Sequence, residues 1–263
     1  MESLGSHNPF GAPIYSFKQV SSTMDEARRV AASGCPNGTV VIADIQEAGR
    51  GRIAGRSWRS GRGESLLCTT ILRFPSLDSL PSALTLRVGL AAAYAIEDVA
   101  PFPVGCVRVK WPNDVLAEQA GTSPSVGKKL CGILCEADGS AVYVGTGFNI
   151  AQREFPPEIS GKASSIFLET MTEPSRESLL TAFLTRLAGV VLDTSNAWKT
   201  QLENRLFRRG ERVRFETGMA DSGVLIEGIL VGIGAAGEVL IRADGDTAAK
   251  AFVSGELKVY EGA

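Results

Sequence analysis

The sequence predicts an α+β chain whose longer N-terminal part mixes helices with strands and whose C-terminal part is a small antiparallel barrel. Three observations carry this. Helix-capping spacings and 3.6-residue apolar patterns recur between runs of β-branched residues. An Asp138-Gly139 pair separates two alternating segments, the signature of a hairpin. After Arg208 the texture changes to short strands broken by Gly218, Gly228, Gly234, Gly237 and Gly245.

In chain order, Ser22 and Thr23 stand three residues before Asp25 and Glu26, the capping-box spacing, so a helix starts here and ends at Gly34 and Pro36. Thr39 to Ile45 is β-branched and reads as a strand that delivers Gln46 and a glycine-arginine loop. Ser65 to Phe74 is a further strand, and Leu80 to Val99 a helix with little polar face, hence mostly buried. Val107 to Trp111 alternates and stops at Pro112, which cannot donate to a ladder, leaving Asn113-Asp114 at a turn. Ala117 to Val126 reads as a polar loop, and Lys129 to Ala137 with Ala141 to Ile150 as the two arms of the hairpin. Gly145 and Gly147 weaken the second arm, which calls for either a bulge or a closely approaching group. Pro174 to Trp198 carries Leu179, Leu180, Phe183, Leu184, Leu187 and Val191 at helical spacing. Glu211 to Tyr260 forms the barrel, and the boundary at Arg208 to Gly210 divides the chain into domains 1–207 and 208–263.

Composition narrows the function classes. A hydrophobic content of 44% without an apolar run long enough for a bilayer argues against a membrane span, and the N-terminus lacks the pattern of a secretory signal, so the expected address is cytoplasmic. A net charge of −2 gives no general attraction to nucleic acid. The five cysteines are odd in number and lie in apolar surroundings, which reads as reduced, packed thiols. The single histidine, His7, lies in the N-terminal tail, so a mechanism that needs an imidazole base has little support.

The chemistry concentrates in two stretches, Gly49-Arg50-Gly51-Arg52-Ile53-Ala54-Gly55-Arg56-Ser57-Trp58 and Lys110-Trp111-Pro112-Asn113-Asp114. Glycines let backbone amides approach a ligand, and guanidinium forks pair with phosphate or carboxylate, so together they suggest a pocket for a nucleotide and an acid. Read alone, each residue has a plainer role. Arg50, Arg52 and Arg56 would be solvated loop charges, Lys129 beside Lys128 a surface lysine, Asp114 an Asx turn, Asn149 a strand-ending amide and Trp111 a core aromatic.

These stretches, with Ser22-Thr23, Gln46, Lys129-Leu130-Cys131-Gly132-Ile133-Leu134, Gly145-Thr146-Gly147-Phe148-Asn149 and Ser254-Gly255-Glu256-Leu257, resemble the biotin protein ligases in order and spacing. The resemblance runs from about Ile14 to Tyr260. It implies a class II synthetase and biotin/lipoate ligase-like catalytic domain, with a mixed β-sheet flanked by helices, plus a Src-homology-3-like barrel. It departs from the family at two places: Ile53-Ala54 put one extra residue in the loop ahead of Gly55, and Met24 stands where the family usually has Asn. The N-terminal helix-turn-helix module of some relatives is not expected in the short segment before the match.

The resemblance further implies that biotin is activated by ATP to biotinyl-5′-AMP with release of pyrophosphate, then joined to a lysine of a biotin carboxyl carrier domain. Arg52, Lys129 and Asp114 would be catalytic, with Arg52 and Lys129 holding the biotin carboxylate and the α-phosphate. Ser22, Thr23, Gln46, Gly49, Arg50, Gly132 and Gly147 would complete the biotin site. Arg52, Arg56, Trp58, Lys110, Asn113, Asp114 and Asn149 would surround ATP, with Asp114 facing Mg2+. Asp114 acts either as a base toward the incoming amine or as a positioning group. The segment from Gly49 to Gly63 is the expected cover for the intermediate. The family motif favours function for Arg52, Asp114 and Lys129 and packing for Trp111, and leaves Arg56 and Asn149 open. No DNA or membrane partner is expected, and the resemblance allows a homodimer. Two rival readings remain, a lipoate or octanoate transfer enzyme of the same fold and a non-enzymatic biotin or nucleotide sensor.

Overall fold

A computed structural model describes residues 2, 3, 7–53, 55, 57, 58, 61–139, 141–195, 197–218 and 223–258. The chain opens with β1 (Glu2–Ser3) and β2 (Ile14–Val20), then α1 (Thr23–Ala32) and β3 (Thr39–Gln46). Two short strands, β4 (Gly49–Arg50) and β5 (Ser57–Trp58), pair with each other before β6 (Ser65–Arg73) and α2 (Leu84–Val99). There follow β7 (Val107–Lys110), β8 (Asp114–Glu118), β9 (Gly127–Asp138) and β10 (Ala141–Asn149). Four helices come next, α3 (Pro157–Ser160), α4 (Ile166–Thr170), α5 (Arg176–Leu192) and α6 (Ala197–Arg205). The chain then forms β11 (Arg212–Thr217), β12 (Leu225–Ile233), β13 (Val239–Ala243), β14 (Lys250–Phe252) and β15 (Gly255–Lys258).

Eight strands form one mixed sheet in the order β1-β2-β3-β6-β10-β9-β8-β7, parallel only between β2 and β3. The last five form a separate antiparallel sheet in the order β14-β13-β12-β11-β15. The expected α+β class and C-terminal antiparallel unit are thus present.

Period-two alternation on β10 decides what each face of the large sheet does. Val142, Val144 and Phe148 point into the main core with α2 and α5, where Phe148 meets Phe183 edge-on at 5.3 Å between centroids. Ala141 and Tyr143 point the other way, packing with Met24, Ala27 and Val30 of α1. Gly145 and Gly147 continue that second face, where the side chains run out and the floor becomes bare. The register of β10 is unbroken against both β6 and β9 across the two glycines, so no bulge explains them. Close approach does: a Cβ at Gly145 would lie 2.8 Å from Met24 Sδ, and one at Gly147 2.7 Å from the Trp58 ring.

Several boundaries differ from the sequence reading for local reasons. Ser22 caps α1, but by accepting from the Met24 amide at 3.2 Å, while Thr23 turns instead to Gln46. The segment after Pro112 is not all turn and loop: Asp114 begins β8, whose apolar Val115, Leu116 and Ala117 are buried between β7 and β9. The long predicted helix is two, because the Asp193 carboxylate accepts the Ser195 amide at 2.7 Å and competes with the helical ladder. No helix among the described residues is long and apolar enough to cross a membrane.

Trp111 joins the two sheets. Its indole N–H donates to the Gly237 carbonyl at 3.0 Å, and its ring lies 5.8 Å from that of Phe215. It is 3% exposed, so truncation would leave a cavity at the junction. Trp111→Ala is expected to cost about 3–5 kcal/mol of unfolding free energy in urea titration, and a loss below about 1 kcal/mol would refute this junction role.

Candidate functional site

The bare stretch of the sheet floors a cavity of about 640 Å3. Its walls come from the start of α1, the end of β3, the β4–β5 segment, the β7–β8 connection, α3 and β15. Six of its lining residues are basic (Arg50, Arg52, Lys110, Lys129, Lys162 and Lys258) and three acidic (Asp114, Glu158 and Glu256), so the described lining carries an excess of positive charge suited to anions.

At one end, Gln46 Oε1 accepts from both the Thr23 amide, at 2.7 Å, and the Thr23 hydroxyl, at 3.0 Å. Thr69 in turn donates to Thr23 Oγ1 at 2.9 Å. Because the Gln46 carbonyl is committed, its NH2 group is the end left to donate to a ligand. The α1 start and the β3 end are therefore fixed as one polar wall beside Met24, Leu134 and Gly145.

In the centre, Lys129 Nζ lies 2.6 Å from Asp114 Oδ1, the two side chains being 30% and 21% exposed. Burial would raise the Asp114 carboxyl, but Lys129 and Lys110 outweigh it, and Glu256 opposes them only in part. The group is held below its ordinary 3.8 and is ionised at neutral pH. By linkage, the stability this ion pair contributes is present above that ordinary value and is lost as pH falls through the depressed one. The Trp58 ring covers Lys129, with Nζ 5.5 Å from its centroid, within cation–π range. The same ring rests on Gly132 and Gly147, which face each other across β9 and β10. Its indole nitrogen is buried with no hydrogen-bond partner among the described residues.

The remaining sequence candidates are placed as follows. Arg50 borders the cavity, but its guanidinium pairs with Asp25 outside it. Arg52 reaches across to the barrel and donates to the Gly255 carbonyl at 2.9 Å. Gly49 lies outside the lining, packed so closely that a Cβ would meet the Trp58 carbonyl at 2.7 Å. Asn113 and Asn149 line the cavity while their amides hold backbone. Asn113 donates to the Ile133 carbonyl at 2.8 Å, and Asn149 to those of Ser164, at 2.9 Å, and Lys129, at 3.2 Å. Lys110 is 6% exposed and also lines the cavity. Arg56 lies outside the described residues.

Sequence reasoning missed α3 and its flanks, where Phe155, Glu158, Ile159 and Lys162 form one wall, and the wall made by Glu256, Leu257 and Lys258 of β15. No periodic signal marks a four-residue helix, and only the Ser254-Gly255-Glu256-Leu257 motif hinted at β15. Among the described residues no three His, Cys, Asp or Glu side chains converge as a metal cage. Asp114 therefore fits magnesium in one way only, as a single carboxylate ligand to an ion that arrives with nucleotide phosphates and water.

The architecture is thus a cation-rich cavity on the glycine floor of a mixed sheet, with β15 of the C-terminal antiparallel sheet as one wall. Residues 16–149 match the model of the biotin/lipoate A/B protein ligase family. The chain is 33% identical over 227 residues to the biotin–[acetyl-CoA-carboxylase] ligase of Paracoccus denitrificans, covering 80% of this chain and 88% of that one. It is 35% identical over 154 residues to the bifunctional ligase/repressor BirA of Bacillus subtilis, covering 56% of this chain but only 44% of the relative, so it spans less than half of that protein. In three dimensions it is similar to the biotin protein ligase of Aquifex aeolicus in complex with biotin and ATP. There the TM-score is 0.75 and the identity 29%, over 93% of this chain and 97% of the other. The chain belongs to the biotin/lipoate A/B protein ligase family, among its biotin protein ligases.

Gly147→Ala is expected to push the Trp58 ring off the floor. Trp111 and Trp198 are only 3% and 2% exposed, so the acrylamide-quenchable fraction of tryptophan fluorescence should rise through Trp58. Unchanged quenching would show that the glycine is not needed for this packing.

Proposed function

We propose that this chain is an ATP-dependent, AMP-forming biotin–[acetyl-CoA-carboxylase] ligase. The observation that carries the reading is the Lys129–Asp114 pair at 2.6 Å on a glycine floor, inside a cavity whose charged lining residues are mostly cationic. Joining two anions requires preorganised positive charge, and each charge-assisted hydrogen bond in such a site contributes about 1.5–3 kcal/mol.

In the first step a biotin carboxylate oxygen attacks the α-phosphorus of ATP, and the bond to pyrophosphate breaks. Lys129 and Arg52 hold the carboxylate and the α-phosphate, which lowers their repulsion and aligns them; no protein nucleophile takes part. Ser22, Thr23, the Gln46 amide and the Arg50 backbone receive the ring system, and Gly132 and Gly147 make room for it by letting the Trp58 ring lie directly on the strands. Trp58, Lys110, Asn113 and Asn149 surround the nucleotide together with Arg56. Magnesium, when bound, neutralises phosphate charge, with Asp114 as its protein ligand. In the second step the amine of the carrier lysine attacks the acyl carbon, the bond to AMP breaks, and the proton leaves toward Asp114 or water.

The carrier is a biotin carboxyl carrier domain, the setting cytoplasmic, and a homodimer is compatible with this reading; DNA and membranes are not partners. Residues 1–207 act as the catalytic domain and 208–263 as the barrel domain. Support for this boundary comes from the separate five-stranded sheet, which begins at Arg212.

The test is biotin-dependent exchange of pyrophosphate into ATP, followed by mass analysis of a carrier domain and its Lys→Arg version. Exchange with biotin but not lipoate, and a mass gain only on the lysine carrier, are expected; binding of biotin without exchange would overturn the enzyme in favour of a sensor. Lys129→Ala should slow adenylate formation at least about tenfold with an unchanged unfolding midpoint, and an unchanged single-turnover rate would remove Lys129 from the chemistry.

A further inference from the structure

Asp25, in the first turn of α1, is not among the residues that line the cavity. Its carboxylate nevertheless holds the start of the glycine-arginine segment. Arg50 Nη2 donates to Oδ1 at 2.6 Å and Nη1 to Oδ2 at 3.2 Å, a two-pronged pair. Arg28 donates to the same Oδ1 at 3.2 Å, and itself pairs with Glu136 on β9 and lies over Tyr143 of β10, 5.2 Å from the ring centroid. Asp25 is therefore anchored to the sheet on one side and to Arg50 on the other.

From Arg50 the contact continues inward. Backbone pairing sets Arg50 against Ser57 and Gly49 against Trp58, and Trp58 is the ring that lies on Gly132 and Gly147 above Lys129. Three contacts thus link a partly exposed carboxylate to the cavity floor: Asp25 to Arg50, β4 to β5, and Trp58 to the two glycines. We infer that Asp25 is a positioning residue of the biotin subsite: it clamps Arg50 and, through the β4–β5 pairing, fixes Trp58 above Lys129. Arg50 serves this clamp with its side chain and the ligand with its backbone. The Asp25 carboxyl is held below its ordinary range, first by the Arg50 hydrogen bond, so the clamp is charged at neutral pH and is lost only as pH falls through that lowered value.

A plainer role for Asp25 is that of any acid near a helix N-terminus. Glu26 provides the comparison, because it occupies the same turn and pairs with Arg29 instead. The proposal rests on the ligase reading for its ligand arm only, and amide hydrogen exchange over residues 47–53 reads the clamp without any ligand. In Asp25→Asn, exchange there and the Kd for biotin should each rise about threefold to fivefold, the scale of a half-exposed ion pair, with kcat at saturating biotin unchanged. Asp25→Glu should restore both, Glu26→Gln should leave both at wild-type values, and Asp25→Asn/Arg50→Gln should be no worse than either single variant. Unchanged exchange in Asp25→Asn, an equal effect in Glu26→Gln, or faster exchange without any change in Kd would each overturn the inference. If the wild-type chain binds no biotin, the ligase reading falls, while faster exchange in Asp25→Asn with recovery in Asp25→Glu still supports the clamp.

Discussion

The site depends on a strip of sheet that has no side chains. Strand alternation places Tyr143, Gly145 and Gly147 on one face of β10, and Gly132 meets Gly147 from β9. A Cβ at any of the three glycines would sit 2.9 Å or less from a neighbouring side-chain atom. The floor is therefore bare on this face, while the opposite face, with Val142, Val144 and Phe148, carries the core. The two faces divide the work: one supplies burial at about 25 cal/mol per Å2 of apolar surface, and the other supplies space.

Into that space the fold gathers charges that would repel if left alone. Lys110 and Lys129 converge from different strands, and Asp114 lies between them in electrostatic terms, its carboxyl kept ionised against the cost of burial. A buried cation without a partner would be expensive, whereas one paired to a carboxylate is tolerated. The Lys129–Asp114 pair is thus internally balanced, with the Trp58 ring lying over the lysine.

The C-terminal sheet is part of this arrangement. Glu256, Leu257 and Lys258 of β15 form one wall, Arg52 bonds the Gly255 carbonyl, and Trp111 ties the β7–β8 connection to Gly237 and Phe215. The glycine-arginine segment is held from two directions, by the barrel at Arg52 and by α1 at Arg50. Its geometry is consequently set by parts of the chain far apart in sequence.

The sequence alone determined the elements whose signals are local. The cap at Ser22, the hairpin around Asp138-Gly139, the apolar α2 and the glycine-punctuated C-terminal strands all follow from side-chain chemistry within a few residues. It also marked positions far apart in the chain that come together, since most of the residues singled out border one cavity. Tertiary structure decided where their polar atoms go. Arg50 turns to Asp25, Asn113 and Asn149 bind backbone, Met24 fills the place beside Gly145, and α3 and β15 supply walls that no periodicity announced. A short helix or a single hydrogen bond leaves no repeat in the sequence, because its partner is chosen by packing between segments that meet only once the sheet has formed.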